Sequence, residues 1–321
     1  MPAALTHGVV LDLATLHPED LDLSALRATL PHWDLHDHSS ASNVVERLQD
    51  AEVVITNKFV LDAELLAQTP KLKLICVAAT GTNNIDLSAA SERGIAVTNV
   101  TGYATPSVVE HVFALILSLQ RRLSEQHRAA HERWPNQRGF CVLDIPIQEL
   151  RGKTLGIVGY GELGRAVANI GTAFGMCVLI AQRPGGDSRS NRAPLDEVLH
   201  NADVLSLHCP LTQTTRNLIG TRELALMKPT ALLINTARGG IVDEPALVSA
   251  LQNKQLGGAG IDVLIEEPPR HGNPLLEIQL PNLIVTPHIA WASREARQRL
   301  VNGLTENIRA YLEGEDRNRV C

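Results

Sequence analysis

Aromatic side chains are scarce in this chain: Phe, Trp and Tyr together make up 3 % of 321 residues. Cores must therefore be built from Leu, Val, Ile and Ala, and stacked aromatic platforms for single-stranded nucleic acid are not expected. Positive charge is not in excess either. With 29 Lys and Arg against 35 Asp and Glu, the formal net charge is −6. That argues against nucleic-acid and anionic-membrane partners, which are met by basic patches. The five cysteines (Cys76, Cys141, Cys177, Cys209, Cys321) are scattered and contain no C-x-x-C pair. This excludes a disulfide framework and a thiolate metal site, and points to a reduced, cytoplasmic protein. No apolar run reaches bilayer length; the longest, 108–119, contains Glu110 and His111. Residues 1–16 lack a basic stretch and Asp12 interrupts their apolar run, so no signal peptide is expected.

Hydrophobic residues are abundant, at 44 %, with 20 % charged. That is enough for real cores, and the length fits two domains. Short β-branched or Leu-rich runs alternate with helical patterns. In the first third, strands are expected at 9–13, 52–56, 72–78 and 95–99, with helices starting near Leu21, Ser42, Leu61 and Leu87. A second series places strands at 154–158, 177–181, 204–207, 231–235, 260–263 and 283–285, and helices at 162–174, 195–201, 222–227 and 244–252. Asp243 is placed to cap the last helix, with Pro245 in its first turn. Runs apolar on both faces suit parallel strands covered by helices, so two βα series imply two doubly wound α/β domains.

Two longer helices are expected as connectors. The one opening at Thr105-Pro106 has almost no polar face and should be buried between domains or between subunits. The other runs from Ser293 to about Leu312, with Ala296, Leu300, Val301, Leu304, Ile308 and Tyr311 at helical spacing.

The strongest local signal is Thr154-Leu-Gly-Ile-Val-Gly-Tyr-Gly-Glu-Leu-Gly164. Gly159, Gly161 and Gly164 match G-x-G-x-x-G within a strand–turn–helix–strand frame. Gly159 permits the turn, Gly161 admits a pyrophosphate to the backbone, and Gly164 lets helix and strand pack closely. Glu162 and Leu163 open the helix whose N-terminus faces the phosphates. A glycine-rich turn without a ligand is the bland alternative, and the frame argues against it. Where an NAD site places an acid to hold the ribose 2′-OH, this chain has Gln182 followed by Arg183. A neutral residue beside a cation attracts a 2′-phosphate, so NADP(H) is favoured and NAD(H) is the alternative; a solvated surface Arg183 is the bland reading.

Three later segments each end an expected strand, where open α/β sheets bind ligands. They are Asn235-Thr-Ala-Arg-Gly-Gly240, Asp262-Val-Leu-Ile-Glu-Glu-Pro-Pro269 and Thr286-Pro-His-Ile-Ala-Trp291. Singly, each is an Arg in a turn, a Glu before prolines, or a His at a strand end. In this order after a dinucleotide loop, those bland readings become improbable.

With Val77-Ala-Ala-Thr-Gly-Thr-Asn-Asn-Ile-Asp86, Ser107-Val-Val-Glu-His111 and Leu207-His-Cys-Pro-Leu-Thr212, these segments resemble the D-isomer-specific 2-hydroxyacid dehydrogenases along nearly the whole chain. Thr80 to Asn84 and His288-Ile-Ala-Trp291 look most like the glycerate dehydrogenases, or hydroxypyruvate reductases. The resemblance implies a flavodoxin-like substrate domain (1–102 with 293–321) and an inserted Rossmann NAD(P)-binding domain (103–292). The substrate would lie in a cleft that closes about a hinge near Tyr103 and Trp291. His288 would be the general acid and base, Glu267 its partner favouring the imidazolium, and Arg238 the clamp on the substrate carboxylate and carbonyl. Backbone N–H groups of Ala79, Thr80 and Gly81 would bind the carboxylate. Asp262 would contact the nicotinamide end, Cys209 and Pro210 would line the adenosine side, Thr236 and Ala237 would lie near the nicotinamide ribose, and Thr215 and Ala290 would also bind the coenzyme. Trp291 would wall the substrate pocket or simply pack at a helix start.

The reaction implied is reduction of hydroxypyruvate or glyoxylate to D-glycerate or glycolate. The alternatives are a D-lactate, phosphoglycerate or phosphite dehydrogenase, or a non-catalytic dinucleotide-sensing corepressor of the same fold. A phosphorylated substrate would need cations that the 78–84 loop lacks. His208 should orient its loop rather than catalyse. His32, His36 and His38 alternate, but no acid or thiol stands at useful ligand spacing, so no metal is expected. The buried helix from Pro106 implies a homodimer through the coenzyme domain, and Trp134 and Phe140 fit an arm reaching a partner subunit.

Overall fold

The structure, a computed structural model, describes residues 5–183 and 191–321; the first four residues of the 1–16 stretch lie outside it. Contacts divide the chain into two compact units, Met1–Ala104 with Ala292–Cys321, and Thr105–Trp291.

The first unit alternates β1 (His7–Val10), α1 (Ser24–Arg27), β2 (His32–Leu35), α2 (Val44–Leu48), β3 (Val53–Thr56), α3 (Ala63–Ala67), β4 (Leu74–Val77), α4 (Leu87–Glu92) and β5 (Ala96–Thr98). The sheet is parallel throughout, in the order β2-β1-β3-β4-β5. β3 and β4 are buried along their whole length, which is why they read as unbroken apolar runs. Asp62 and Asp86 start α3 and α4 by accepting from the N–H groups of Leu65 and Ala89. β2 is a strand that periodicity does not predict. Its four residues carry no apolar run, and pairing with β1 at the sheet edge extends them. Gly8 makes room there, since a Cβ on it would lie 2.5 Å from the Trp33 ring.

This strand order opens a ligand crevice between β1 and β3 at their carboxyl ends. The chain fills it with its own carboxylate. Asp12, after β1, accepts from the N–H groups of Asn57 (2.9 Å), Lys58 (2.6 Å) and Phe59 (3.0 Å) after β3.

The second unit comprises α5 (Thr105–Gln120), α6 (Leu123–Glu132), β6 (Thr154–Val158), α7 (Glu162–Ala173), β7 (Cys177–Ile180), α8 (Leu195–Asn201), β8 (Val204–Leu207), α9 (Thr221–Leu226), β9 (Leu232–Asn235), α10 (Glu244–Gln252), β10 (Gly258–Ile261) and β11 (Leu283–Val285). Its six strands are parallel in the order β11-β10-β9-β8-β6-β7. The order reverses at β6, so the crevice opens between the carboxyl ends of β6 and β8. Asp243 caps α10 as its sequence implies, accepting from Ala246 N–H.

The apolarity of α5 has a local cause. It packs on α7 and on β9, β10 and β11 of its own unit. Gly260 admits it so closely that a Cβ there would meet that of Leu115 at 3.0 Å. A second subunit is therefore not needed to bury this helix, contrary to the argument from its sequence. Exposed apolar groups lie instead beyond α6, a helix that its polar sequence does not announce. Phe140 is 94 % and Leu143 82 % exposed there. The chain then returns to the first unit with α11 (Arg294–Glu313), capped by Ser293. Arg297 fixes it, donating to the carbonyls of Leu16 and His17 and to both Asp20 carboxylate oxygens. Among the described residues no helix is long and apolar enough to cross a membrane.

Candidate active site

The glycine loop sits at the crevice between β6 and β8. Gly159 has φ +93°, and a Cβ on it would lie 2.5–2.6 Å from the His208–Cys209 peptide after β8. Gly164 allows no side chain, because its Cβ would meet the Gly159 carbonyl oxygen at 2.0 Å. Gly161, by contrast, has open space around it and forms the N-cap of α7, so Glu162 and Leu163 present the helix N-terminus to that space. Thr105 donates its hydroxyl to the Glu162 carboxylate at 2.5 Å. At the ends of β8 and β9, the buried His208 Nδ1 and Thr236 Oγ1 have no hydrogen-bond partner among the described residues. A tight turn, an open helix N-terminus and unsatisfied polar atoms fit a dinucleotide with its pyrophosphate on α7.

Around that crevice, Ser206 Oγ lies 2.8 Å from Nε2 of His208, and burial pushes the imidazole down to about 4. His208 is thus a neutral shaping group beside the Gly159 turn. Burial also pushes the Cys209 thiol up. Thr215 is buried; its hydroxyl donates to Pro210 O and accepts from Thr212 N, so it shapes the Cys209–Pro210 loop. At the end of β7, Gln182 is half-buried and donates to the Arg192 carbonyl, which brings Arg192 to the edge where exposed Arg183 lies. Sequence spacing did not single out Arg192.

Arg238, Glu267 and His288 follow β9, β10 and β11, three adjacent strands. His288 Nδ1 is 2.6 Å from Glu267 Oε2, and Leu264 N–H donates to the other Glu267 oxygen at 2.8 Å. With Nδ1 engaged, Nε2 is the nitrogen that faces reactants. Trp291 donates its indole N–H to the His288 carbonyl at 2.9 Å. The Arg238 guanidinium is exposed, and its one hydrogen bond among the described residues goes to the Ala237 carbonyl at 2.7 Å. Buried Asn235 shapes this turn, donating to Arg238 O and accepting from Ala237 N.

Asp262 is tied to the loop that carries His288. It is 1 % exposed, and its carboxylate accepts from Thr286 Oγ1 (2.5 Å), Ile289 N (2.9 Å) and Ala290 N (2.9 Å). Both of its oxygens are directed at the loop that carries His288. His111 adds Nε2 at 3.0 Å from Thr286 Oγ1. Ala290 likewise has both backbone groups engaged, its carbonyl by Ser107 Oγ at 2.7 Å.

In the first unit, Ala79, Thr80 and Gly81 follow β4. The carbonyls of Ala79 and Thr80 and the Thr80 hydroxyl are tied to Asn99 and Val100. None of their three N–H groups donates to an acceptor among the described residues, which leaves a backbone nest open to an anion.

The histidines of β2 group differently from their spacing. Strand pairing brings His7 and Asp34 to His32, with ligand atoms within 4.8 Å of one another; His36 and His38 are not part of the group. An acid therefore does stand beside His32. Its oxygens lie 2.8 Å from His7 Nε2 and 3.2 Å from His32 Nε2, so the three satisfy one another, and the His7 hydrogen bond holds the Asp34 carboxyl below its ordinary value.

Fold and site together define a two-unit α/β oxidoreductase that uses a nicotinamide dinucleotide. Residues 113–290 match the family described as D-isomer specific 2-hydroxyacid dehydrogenase, NAD binding domain. The chain is similar to a glycerate dehydrogenase of Methylorubrum extorquens, at 44 % identity over 95 % of this chain and 97 % of that one. It is also similar to a hydroxypyruvate reductase of Blautia hydrogenotrophica, at 37 % identity over 97 % and 98 %. Among solved structures, D-lactate dehydrogenase from Aquifex aeolicus, complexed with NAD and lactic acid, superposes with a TM-score of 0.82 and 31 % identity, covering 96 % of each chain. The chain belongs to the D-isomer-specific 2-hydroxyacid dehydrogenases, enzymes that interconvert 2-keto and 2-hydroxy acids.

Proposed function

We propose that this enzyme reduces hydroxypyruvate or glyoxylate to D-glycerate or glycolate, with NADPH favoured over NADH. The observation that carries the reading is the Glu267–His288 pair, 2.6 Å apart after β10 and β11, with Arg238 after the neighbouring β9. The bound reduced coenzyme supplies hydride to the 2-carbon of the keto acid. His288 delivers a proton from Nε2 to the carbonyl oxygen while Glu267 holds Nδ1 and the ring's orientation. Arg238 takes the substrate carboxylate and carbonyl oxygens through charge-assisted hydrogen bonds that polarise the carbonyl. The N–H groups of Ala79, Thr80 and Gly81 take the carboxylate, and Trp291 bounds the substrate. Gly159 to Gly164 hold the pyrophosphate, Cys209, Pro210 and Thr215 form the adenosine side, and Thr236 and Ala237 meet the nicotinamide ribose. Asp262 and Ala290 act by setting the His288 loop.

The coenzyme preference rests on Gln182 in place of an acid, beside Arg183 and Arg192. The exposed apolar groups from Trp134 to Leu143 support a homodimer joined through this segment, and the reduced cysteines support a cytoplasmic enzyme. Following loss of reduced-nicotinamide absorbance with hydroxypyruvate, glyoxylate and pyruvate, each with NADPH and NADH, tests the reading. A higher kcat/KM for the first two acids with NADPH is expected. Preference for pyruvate or for NADH would overturn the corresponding half, and coenzyme binding without turnover of any keto acid would favour a sensor.

A further inference from the structure

Glu244 opens α10 but does not face solvent. It is 6 % exposed, and its two oxygens accept from the N–H of Ile265 (2.7 Å) and from Asn273 Nδ2 (2.7 Å). Asn273, 3 % exposed, in turn accepts from Leu275 N at 2.9 Å. Buried carboxyl and amide thus close a small network beneath the loop after β10. A buried acid costs stability unless it is hydrogen-bonded, as both oxygens of this one are.

What it holds is the backbone of two consecutive residues, Leu264 and Ile265. The N–H of Leu264 donates to Glu267 Oε1 at 2.8 Å, while Glu267 Oε2 is 2.6 Å from His288. The carbonyl of Leu264 lies directly on Gly239, where a Cβ would be only 1.8 Å from that oxygen and 2.7 Å from Ile265 N. Gly239 is the residue after Arg238. The backbone of Leu264 and Ile265 therefore touches both arms of the site, the Glu267–His288 pair through the Leu264 N–H and the arginine turn through the following peptide group. Its third contact, Ile265 N–H, is the bond to Glu244.

We infer that Glu244, with Asn273, is a positioning residue for the Glu267–His288 pair and the Arg238 turn, acting through the backbone of Leu264 and Ile265. The inference rests on the proposed roles of those three residues. Glu244 touches no reactant and is not itself catalytic. A displacement of that backbone of about 1 Å is enough to cost roughly a hundredfold in rate at a site of this kind.

The hydrogen-bond pattern dictates the test. In Glu244→Gln, an amide NH₂ faces the Asn273 amide and one donor is left without an acceptor. In Asn273→Asp, two carboxyl groups face each other in a buried place. The double variant, carrying both substitutions, restores every bond with the charge exchanged. The introduced glutamine accepts from Ile265 through its oxygen and donates its NH₂ to the introduced aspartate, which accepts from Leu275. Each single variant of the coenzyme-bound enzyme should lose roughly tenfold to a hundredfold in kcat, with coenzyme affinity unchanged, and the double variant should recover to within about threefold.

The downfield proton resonance of His288 Nδ1–H, hydrogen-bonded to a carboxylate, gives a readout independent of turnover. It should broaden or shift in the single variants and return in the double. Retained kcat and an unmoved resonance in the single variants, or an intact fold with neither restored in the double, would overturn the inference. Glu267→Gln, measured in parallel, separates the two levels. If that variant keeps full kcat, the proposed proton-transfer role fails, while the resonance still decides whether Glu244 positions the pair.

Discussion

Asp262 and His288 are joined through the backbone as well as through a carboxylate. The Asp262 carbonyl accepts the His288 N–H at 2.8 Å, and the Asp262 carboxylate accepts the next two N–H groups at 2.9 Å each. Between them His288 adopts φ +55°, in the left-handed region. For a non-glycine residue this costs of order 1–3 kcal/mol and persists only when the surroundings over-determine it. The strained turn aims the imidazole at Glu267 from the end of an adjacent strand, so the placing of His288 depends on a buried acid.

Asp262→Ala should therefore damage stability and catalysis together. It leaves the N–H groups of Ile289 and Ala290 without their acceptor and leaves the Thr286 hydroxyl with His111 alone, a loss of roughly 2–5 kcal/mol. Chemical denaturation should show that drop, and kcat should fall by about a hundredfold or more as the His288 turn relaxes. Asp262→Asn, which keeps one acceptor oxygen, should fall between wild type and Ala in both measurements. A variant with normal kcat and reduced stability would assign Asp262 to folding alone.

His288 and Glu267 should separate in steady-state kinetics. His288→Gln removes the proton donor and should lower kcat by roughly 10²–10⁴-fold, with coenzyme dissociation constants unchanged. Glu267→Gln keeps the ring but replaces the charged acceptor with a neutral one, and a loss of about ten- to a hundredfold is expected. Equal losses in both, not deepened in the double variant, would mark the two as one working unit.

The strands, the glycine loop and the placing of Arg238, Glu267 and His288 at strand ends are legible in the sequence because each rests on local information. Buried parallel strands read as apolar runs, and Gly159 and Gly164 stand where backbone geometry forbids any side chain. What was not legible depends on pairing in space. β2 exists because His32–Leu35 borrows hydrogen bonds from β1 at a sheet edge. The His7–Asp34–His32 group follows from the same pairing and not from any spacing along the chain. Only the fold shows which donors the Asp262 oxygens meet, and in the sequence Glu244 is one more polar residue in a helical first turn. The helix from Thr105 was rightly read as buried. The pattern did not reveal that its own sheet, with glycines in β10, does the burying.

Arg238 offers a sharper test of substrate binding than of folding, because its guanidinium is exposed and bonded only to the neighbouring carbonyl among the described residues. Arg238→Lys keeps the charge but loses the planar fork, and kcat/KM for hydroxypyruvate should drop roughly ten- to a hundredfold. Arg238→Ala should drop further, with melting temperature and NADPH affinity near wild type. A melting temperature that falls in step with kcat/KM would mean that the residue is structural.

At the edge of β7, the charge pattern predicts how coenzyme choice responds to mutation. Arg183→Ala should raise KM for NADPH far more than for NADH, and the NADPH advantage should shrink as ionic strength rises. Gln182→Asp should invert the preference, since a carboxylate accepts the ribose 2′-OH and repels a 2′-phosphate. If NADH is the better coenzyme of the wild type and Arg183→Ala changes nothing, the two residues are ordinary surface groups.

Acid should destabilise the folded chain through His208. Its imidazole is pushed down to about 4 by burial, against about 6.5 in an unfolded chain. Between those values the unfolded state binds a proton that the folded state refuses, so stability rises with pH across this window and is lost as pH falls through it. The full shift corresponds to about 3 kcal/mol, of which roughly 2 kcal/mol should disappear between pH 7 and pH 5. Chemical denaturation of coenzyme-free protein at those two values should show the loss. His208→Gln keeps a hydrogen-bonding group near Ser206 but cannot titrate, so its stability should change less by about that amount over the same interval. Identical acid sensitivity in wild type and variant would place the titrating group elsewhere and would mean that His208 takes up its proton in the fold as readily as in the open chain.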